Sequence, residues 1–407
     1  MTPIVRIAAR NVARNRRRSL ITFSAVFLAL AVMVSIRGLV NGMSDSFIES
    51  TILGQTGALQ IHRRGYLASM NGASLELDVP ADAAFLARVR SVPGVAAAAA
   101  RIAFAAMINA HDTTTPALFT AVDPGNELRV CPRRFEMVTS GTALTQAGPA
   151  SGILTPVLAA KLGLERGARA TLMAGDKDGA LNAVELDYVA AYGESGLPLP
   201  DKQIGFVPLA LAQELLRMPG RATEIAVALR DIADAEAIKA RLQALVGPGY
   251  EVSTWHDVAP WLDEAVATLH KALDLVAFLF LSVALLGVVN TMLMSVFERT
   301  REIGTMMAVG VRRRQILGLF LLEAGFLGLL GGVLGAAAGG GAVAYFGRHG
   351  IDFQPSNMAV PFHIRPWIDP AYLFATLGLA VLGAVLAALW PALRASRQRP
   401  VQALASV

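Results

Sequence analysis

Two polar side chains stand where hydrocarbon is the expected surrounding. Glu323 is the one charged residue between Ile316 and Phe346, and Asn290 lies in the uncharged stretch Leu275 to Phe297. Such groups are costly in lipid unless paired, and they mark a proton path, a ligand contact or an interhelical bond. A single acid makes a poor proton relay. Glu323, about two turns into its stretch, reads as a hydrogen bond or salt bridge to the segment before it. Asn290 reads as an interhelical hydrogen-bonder, and both are expected to face protein. Enzyme chemistry has little to stand on. The sequence holds no GxxxxGK[ST] phosphate loop, HExxH, GxSxG or paired-cysteine spacing, and its six histidines (62, 111, 256, 270, 349, 363) show no ligand spacing. No catalytic residue, bound metal or bound cofactor is expected.

The most informative segment runs from Val296 to Arg314, VFERTREIGTMMAVGVRRR. Ile303, Met306, Met307 and Gly310 recur at i, i+3, i+4 and i+7, while Arg301, Glu302, Thr305 and Arg312 lie elsewhere. That pattern predicts a short amphipathic helix whose apolar face suits a groove of another protein, or else a lipid surface.

The elements that must position these residues follow from hydropathy. Of 407 residues, 54% are hydrophobic and 16% charged, and mean hydropathy is +0.50. Four runs are long enough for roughly 30 Å of hydrocarbon: Ser19 to Ile36, Leu275 to Phe297, Ile316 to Phe346 and Ala371 to Leu393. The first lacks an obvious cleavage pattern and reads as an uncleaved anchor. Arg37 at its end is expected to snorkel to headgroups. Gly331, Gly335 and Gly339 at i, i+4 and i+8 offer a close-approach stripe, expected to face spans two or four of the same chain, with Gly328 and Gly332 on a neighbouring row.

Charge sets the topology. Six arginines (6, 10, 14, 16, 17, 18) precede the first span, five (299, 301, 312, 313, 314) fill the loop after the second and three (394, 397, 399) follow the fourth. The positive-inside rule places all three on the cytoplasmic face. Residues 41–270 hold 18 Lys and Arg against 25 Asp and Glu, a net charge of −7, so the overall +5 is no sign of nucleic-acid binding. The expected fold is thus an α-helical membrane protein with four transmembrane helices plus a large extracytoplasmic mixed α/β domain. Its parts are an amphipathic N-terminal helix (1–18), spans at 19–40, 271–297, 315–346 and 370–393, and a domain of one or two lobes at 41–270. A coupling helix (298–314), a short outer loop (347–369) and a cytoplasmic tail (394–407) complete it.

Within 41–270, helices are expected at Ala81 to Val92, Thr155 to Leu162, Leu209 to Leu216 and Ala233 to Leu245, and strands at Ala58 to His62, Arg169 to Met173 and Glu224 to Leu229. Pro93-Gly94, Gly148-Pro149, Leu197 to Pro200 and Pro248-Gly249 read as turns. Trp255 to Thr268 reads as a helix entering the second span without a break. Cys131, alone in the chain, is either an exposed thiol or a buried small residue.

The stretch FERTREIGTMMAVGVRRRQI resembles the coupling segment of the FtsX, MacB and LolC/LolE permease superfamily, the type VII ABC transporters, and WPALRASRQRPVQAL is similar to that family's closing motif. The four-span layout and Phe206 to Leu229 match as well. Length and GALQIHRRGY favour the lipoprotein-releasing branch. The resemblance implies a permease in the bacterial inner membrane, both termini cytoplasmic and the large domain periplasmic. It implies pairing with a second copy or a homologue, two copies of a cytoplasmic ATPase carrying the ATP and Mg2+, and a periplasmic acceptor or chaperone. The ATPase contact maps to Glu298, Arg301, Glu302, Ile303, Gly304, Met306, Met307, Gly310 and Arg312. The activity implied is lipoprotein release or export of an amphiphile by mechanical transmission. The rival reading is a signalling scaffold that activates a cell-wall enzyme without transport.

Overall fold

A computed structural model describes Arg10 and residues 16–72, 75–193, 203–354 and 361–398. The chain divides into two compact units, residues 1–45, 266–351 and 363–407 in one, and 46–265 with 352–362 in the other. Most of the N-terminal amphipathic helix, the Leu197 to Pro200 turn and the end of the closing motif lie outside the described residues.

The first unit is built from helices long and apolar enough to cross a membrane: Arg16–Thr51, Pro260–Glu298, Arg313–His349 and Pro370–Ser396. The first and second continue well past the apolar runs that mark them, because residues 41–51 hold no proline and Pro260, the proline of 260–270, sits at the first position of its helix. The Gly331, Gly335 and Gly339 stripe does not pack on the second or fourth helix. It packs on the first: a Cβ on Gly335 would meet the Phe27 carbonyl oxygen at 2.5 Å, and one on Gly339 that of Ala31 at 2.7 Å. The row one step round takes the fourth helix, Gly328 against Ala384 and Gly332 against Leu377. Two glycine rows let the third helix touch two neighbours at backbone distance. Fourth-helix alanines 380, 384, 388 and 392, all fully buried, repeat every four residues toward it.

The second unit is a mixed ten-stranded sheet with helices packed on it. Its spine is the antiparallel hairpin Val95–Ala110 and Thr113–Val122, joined through His111 at φ +53°. Ile204–Pro208 lies parallel to Thr113–Val122, and Ser151–Leu154 parallel to Leu181–Tyr192. Strand alternation divides the faces. Ile102, Phe104, Ala106 and Ile108 join Leu59, Ile61, Phe119, Leu154 and Leu158 in the main core, whereas Ala97 and Ala99 turn to Val130 and Cys131 on the other side. Arg101, of the same odd-numbered set, faces that side too.

The elements expected from the sequence in this unit are found with their ends within two residues: helices Ala83–Arg90, Pro156–Lys161, Leu209–Leu215 and Ala235–Val246, and strands Leu59–Arg63, Arg169–Gly175 and Glu224–Leu229. One expectation is corrected. The entry to the second long helix is broken, since Trp255–Val258 ends at Ala259 (φ −125°, ψ 57°) and the helix restarts at Pro260. Proline clashes with a helical conformation of the residue before it.

Gly335→Leu is expected to force the first and third long helices apart and lower the thermal midpoint of the detergent-solubilised protein by many degrees. Gly341→Ala, whose added Cβ meets nothing within 4 Å, is expected to leave it unchanged or raise it.

Candidate functional site

The turn between the second and third long helices carries the sequence-predicted site. The second helix ends at Glu298, Arg299 leaves helical geometry (φ −105°, ψ 12°), and a separate helix spans Thr300–Ala308. Val309 closes it, Gly310 takes φ +99°, and the next helix starts after Arg312, whose N–H donates to the Gln315 side chain at 2.9 Å. A positive φ is what lets the chain reverse there, and glycine holds it without strain.

This helix uses its apolar face on its own chain. Ile303 is 1% exposed, Gly304 is buried, and Met306 and Met307 pack on the cluster of Val288, Met292, Val296, Ile316 and Phe320. The expected insertion of Ile303, Met306 and Met307 into another protein is therefore corrected. An amphipathic helix with apolar helix ends beside it buries its stripe there first. Gly310 lies past the helix, in the turn. What faces outward is polar: Glu298, Arg301, Glu302, Thr305, then Ala308, Val309 at 82% exposure and Arg312 to Arg314.

Arg299 ties the segment to the bundle. Its Nε lies 3.1 Å from Glu302 and its Nη1 3.4 Å from Glu323, which is 5% exposed. Asn290 is corrected: it sits on the exposed face with Val283, Leu286, Met294 and Phe297. The interhelical bond is made one residue on, Thr22 donating to Thr291 at 2.7 Å. A step of one residue turns a helix by about 100°, enough to exchange a packed face for an open one. Arg37 does not reach for headgroups alone; it pairs with Asp274 at 3.0 Å and covers the Tyr372 ring at 5.1 Å.

Sequence reasoning missed a second constellation, in the other unit. Arg101, 1% exposed, donates to both oxygens of Glu127 (2.9 and 2.7 Å), to Glu224 (3.2 Å), to the Gln55 carbonyl (2.8 Å) and to Cys131 Sγ (3.0 Å). Arg134 lies 3.2 Å from Glu127 and donates to the same Gln55 carbonyl at 2.6 Å. Strand register sets Glu224 directly opposite Arg101. Burial alone pushes the Glu127 carboxyl up, but Arg101 and Arg134 together outweigh it and hold it below the ordinary value. Burial raises the Cys131 thiol, which is the buried alternative of the two expected. Tyr192, buried beside them, is pushed up to about 12. The available signal was weak: one arginine in an alanine-rich run. Among the described residues no group of His, Cys, Asp and Glu has the arrangement of a metal site.

Residues 275–400 match the family model of the FtsX-like permease C-terminal region, and residues 19–245 that of the MacB-like periplasmic core domain. The chain is 29% identical to the macrolide export ATP-binding/permease protein MacB of Nitrobacter winogradskyi, over 98% of its own length and 60% of the relative's. To the protein of the same name from Bdellovibrio bacteriovorus it is 27% identical, over 55% of this chain and 35% of the other. It thus spans less than two thirds of the length of these relatives. Among solved structures it is similar to the extracellular domain of the noncanonic ABC-type transporter YknZ (TM-score 0.36, 13% identity, covering 49% of this chain and 100% of that one). It is also similar to the periplasmic region of MacB from Actinobacillus actinomycetemcomitans (TM-score 0.37, 10% identity, 55% and 95%).

Arg299→Ala and Glu323→Gln are each expected to lower the thermal midpoint, and the double variant to lie near the worse single one, as for any directly coupled pair. Because the folded pKa of Glu127 is depressed, its contribution is full above the unfolded value of about 4.5 and is lost as pH falls through the folded one. Glu127→Gln is expected to cost roughly 3 kcal/mol at pH 7. It is also expected to flatten the fall in stability below about pH 4.5, read by unfolding at several pH values.

Proposed function

The chain belongs to the FtsX/MacB permease family of type VII ABC transporters, and from that premise we propose that it is the permease component of an ATP-driven exporter in the bacterial inner membrane. Its ATPase contact is the outward, polar side of the turn Glu298 to Arg314. We assign the ATP and Mg2+ to a cytoplasmic ATPase, two copies of which serve a pair of permeases; the support is that the relatives are named as ATP-binding/permease proteins. The arginine-rich ends place both termini and this turn on the cytoplasmic side and the large domain in the periplasm. A second copy or a homologue covers the exposed helix face that carries Asn290, which is costly to leave against lipid. A periplasmic acceptor completes the assembly.

The observation that carries this reading is the division of labour within the Thr300–Ala308 helix. Ile303 and Met307 are held by the bundle, so force on the exposed side is delivered to the helices rather than absorbed by a loose loop. The substrate is an amphiphile. The relatives carry macrolide-export names, which speak for export of a free amphiphile ahead of lipoprotein release. The scaffold reading is not favoured, since the relatives that match are named as export ATP-binding/permease proteins.

Arg301→Glu combined with Val309→Asp changes only exposed side chains and is expected to leave the thermal midpoint unchanged. From native membranes in mild detergent, the wild-type chain is expected to bring down an ATPase whose turnover depends on it, and the variant to lose that ATPase. An ATPase retained and stimulated equally by the variant overturns the contact surface. Wild-type chain with no ATPase removes the energy source and overturns the exporter reading.

A further inference from the structure

A cavity of about 280 Å³ opens within the sheet unit beside the buried charges, lined among others by Gln55, Ala103, Arg134, Ile204, Phe206 and Val258. Its size sits at the lower edge of the roughly 300–1,000 Å³ typical of small-molecule sites. Arg134 is 7% exposed, and its guanidinium lies over the Phe206 ring at 5.1 Å. Its Nη2 donates to the Gln55 carbonyl and its Nε lies 3.2 Å from Glu127 without hydrogen-bond geometry, while its Nη1 has neither a hydrogen-bond partner nor a carboxylate beside it among the described residues. A buried guanidinium N–H with no acceptor is costly, and such groups in folded proteins normally have one.

The acceptor that fits is an anionic oxygen. Glu127, the one carboxylate on Arg134, already gives both oxygens to Arg101, and Glu224, also in the lining, is bonded to Arg101. Arg134 is therefore the under-compensated end of a chain of four charges. Next to it the wall turns apolar, with Ile204 and the Phe206 ring. We propose that this cavity binds a small amphiphile whose carboxylate accepts from Arg134 Nη1 and whose apolar part lies against Ile204 and Phe206. The carboxylate belongs either to a short organic acid or to the C-terminus of an apolar peptide. The site bears on more than the sheet, because its wall includes Gln55 of the π-turn Ile52–Thr56 that ends the first long helix, and Val258 just before the break that starts the second. This goes beyond the permease reading and does not depend on it.

The test uses the full chain in lipid nanodiscs, with empty discs subtracted. Octanoate and the tripeptide Ala-Leu-Leu are titrated calorimetrically, beside octanamide and the tripeptide amide. One acid is expected to bind, which identifies the source, and its amide at least tenfold more weakly. Ala103→Leu fills the cavity without altering a charge and is expected to abolish binding; Arg134→Lys is expected to weaken it tenfold or more. Hydrogen exchange on the wild-type chain supplies a readout that needs no variant: ligand is expected to slow exchange at Ile52–Thr56. Neither acid binding, equal binding of acid and amide, folded Ala103→Leu binding like wild type, or binding without protection at Ile52–Thr56 overturns the proposal.

Discussion

The first long helix ends on two buried arginines, and the sheet unit is organised around that junction. A helix leaves its last carbonyls without partners and concentrates negative partial charge there. Here the turn widens to π geometry over Ile52–Thr56, Gly57 donates back to Ile52 at 2.9 Å, and the Gln55 carbonyl accepts from Arg101 and Arg134. Cys131 donates to the Ile52 carbonyl at 3.3 Å. The helix terminus and Glu127 thus compensate two cations that neither could hold in the interior alone. Because Arg101 also meets Glu224, one side chain joins a helix end, the hairpin, the Pro124–Val130 helix and the neighbouring strand.

The helical unit solves a different problem. Without a hydrophobic driving force between helices in lipid, association rests on close packing. The glycine rows of the third helix and the alanines of the fourth supply it, and polar pairs among the described residues include Thr22 with Thr291, Arg37 with Asp274 and Arg299 with Glu323. The latter is placed where the chain reverses, so the same arginine that neutralises a buried carboxylate also fixes the start of the Thr300–Ala308 helix.

Much of this was legible in the sequence because it is written in local rules. Apolar runs of helical length, three of them uncharged and the third carrying only Glu323, gave the four long helices, and flanking turns and alternation gave seven elements of the sheet unit. The Glu323 position implied a partner, and the structure supplies Arg299. What failed to show was direction. Spacing says that Gly331, Gly335 and Gly339 share a face, not which neighbour it meets. An Asn beside a Thr leaves open which of the two faces inward. The apolar stripe Ile303, Met306, Met307 was readable as a stripe, but whether it faces self or partner depends on tertiary distance. The buried arginines were hidden because strand Val95–Ala110 is dominated by alanine, whose preference is for helix. Nothing local announced that Arg101 would be enclosed by residues 26, 46 and 123 positions away.

The correction to the Thr300–Ala308 helix changes the physics expected of its recognition. An apolar stripe offered to a groove gives binding driven by burial, insensitive to salt. A surface of Arg301, Glu302, Thr305 and three following arginines gives binding steered by charge, faster to form and weakened as ionic strength rises. Val309, standing 82% exposed at the apex among those charges, is the one apolar anchor left on it. A contact of that composition is suited to partners that must tighten and loosen in each cycle rather than remain permanently fused, because polar rims change encounter rates more than they lock a complex. The apolar half, Ile303 with Met306 and Met307, is packed on the bundle beside Phe320, and so is withdrawn from that outward surface.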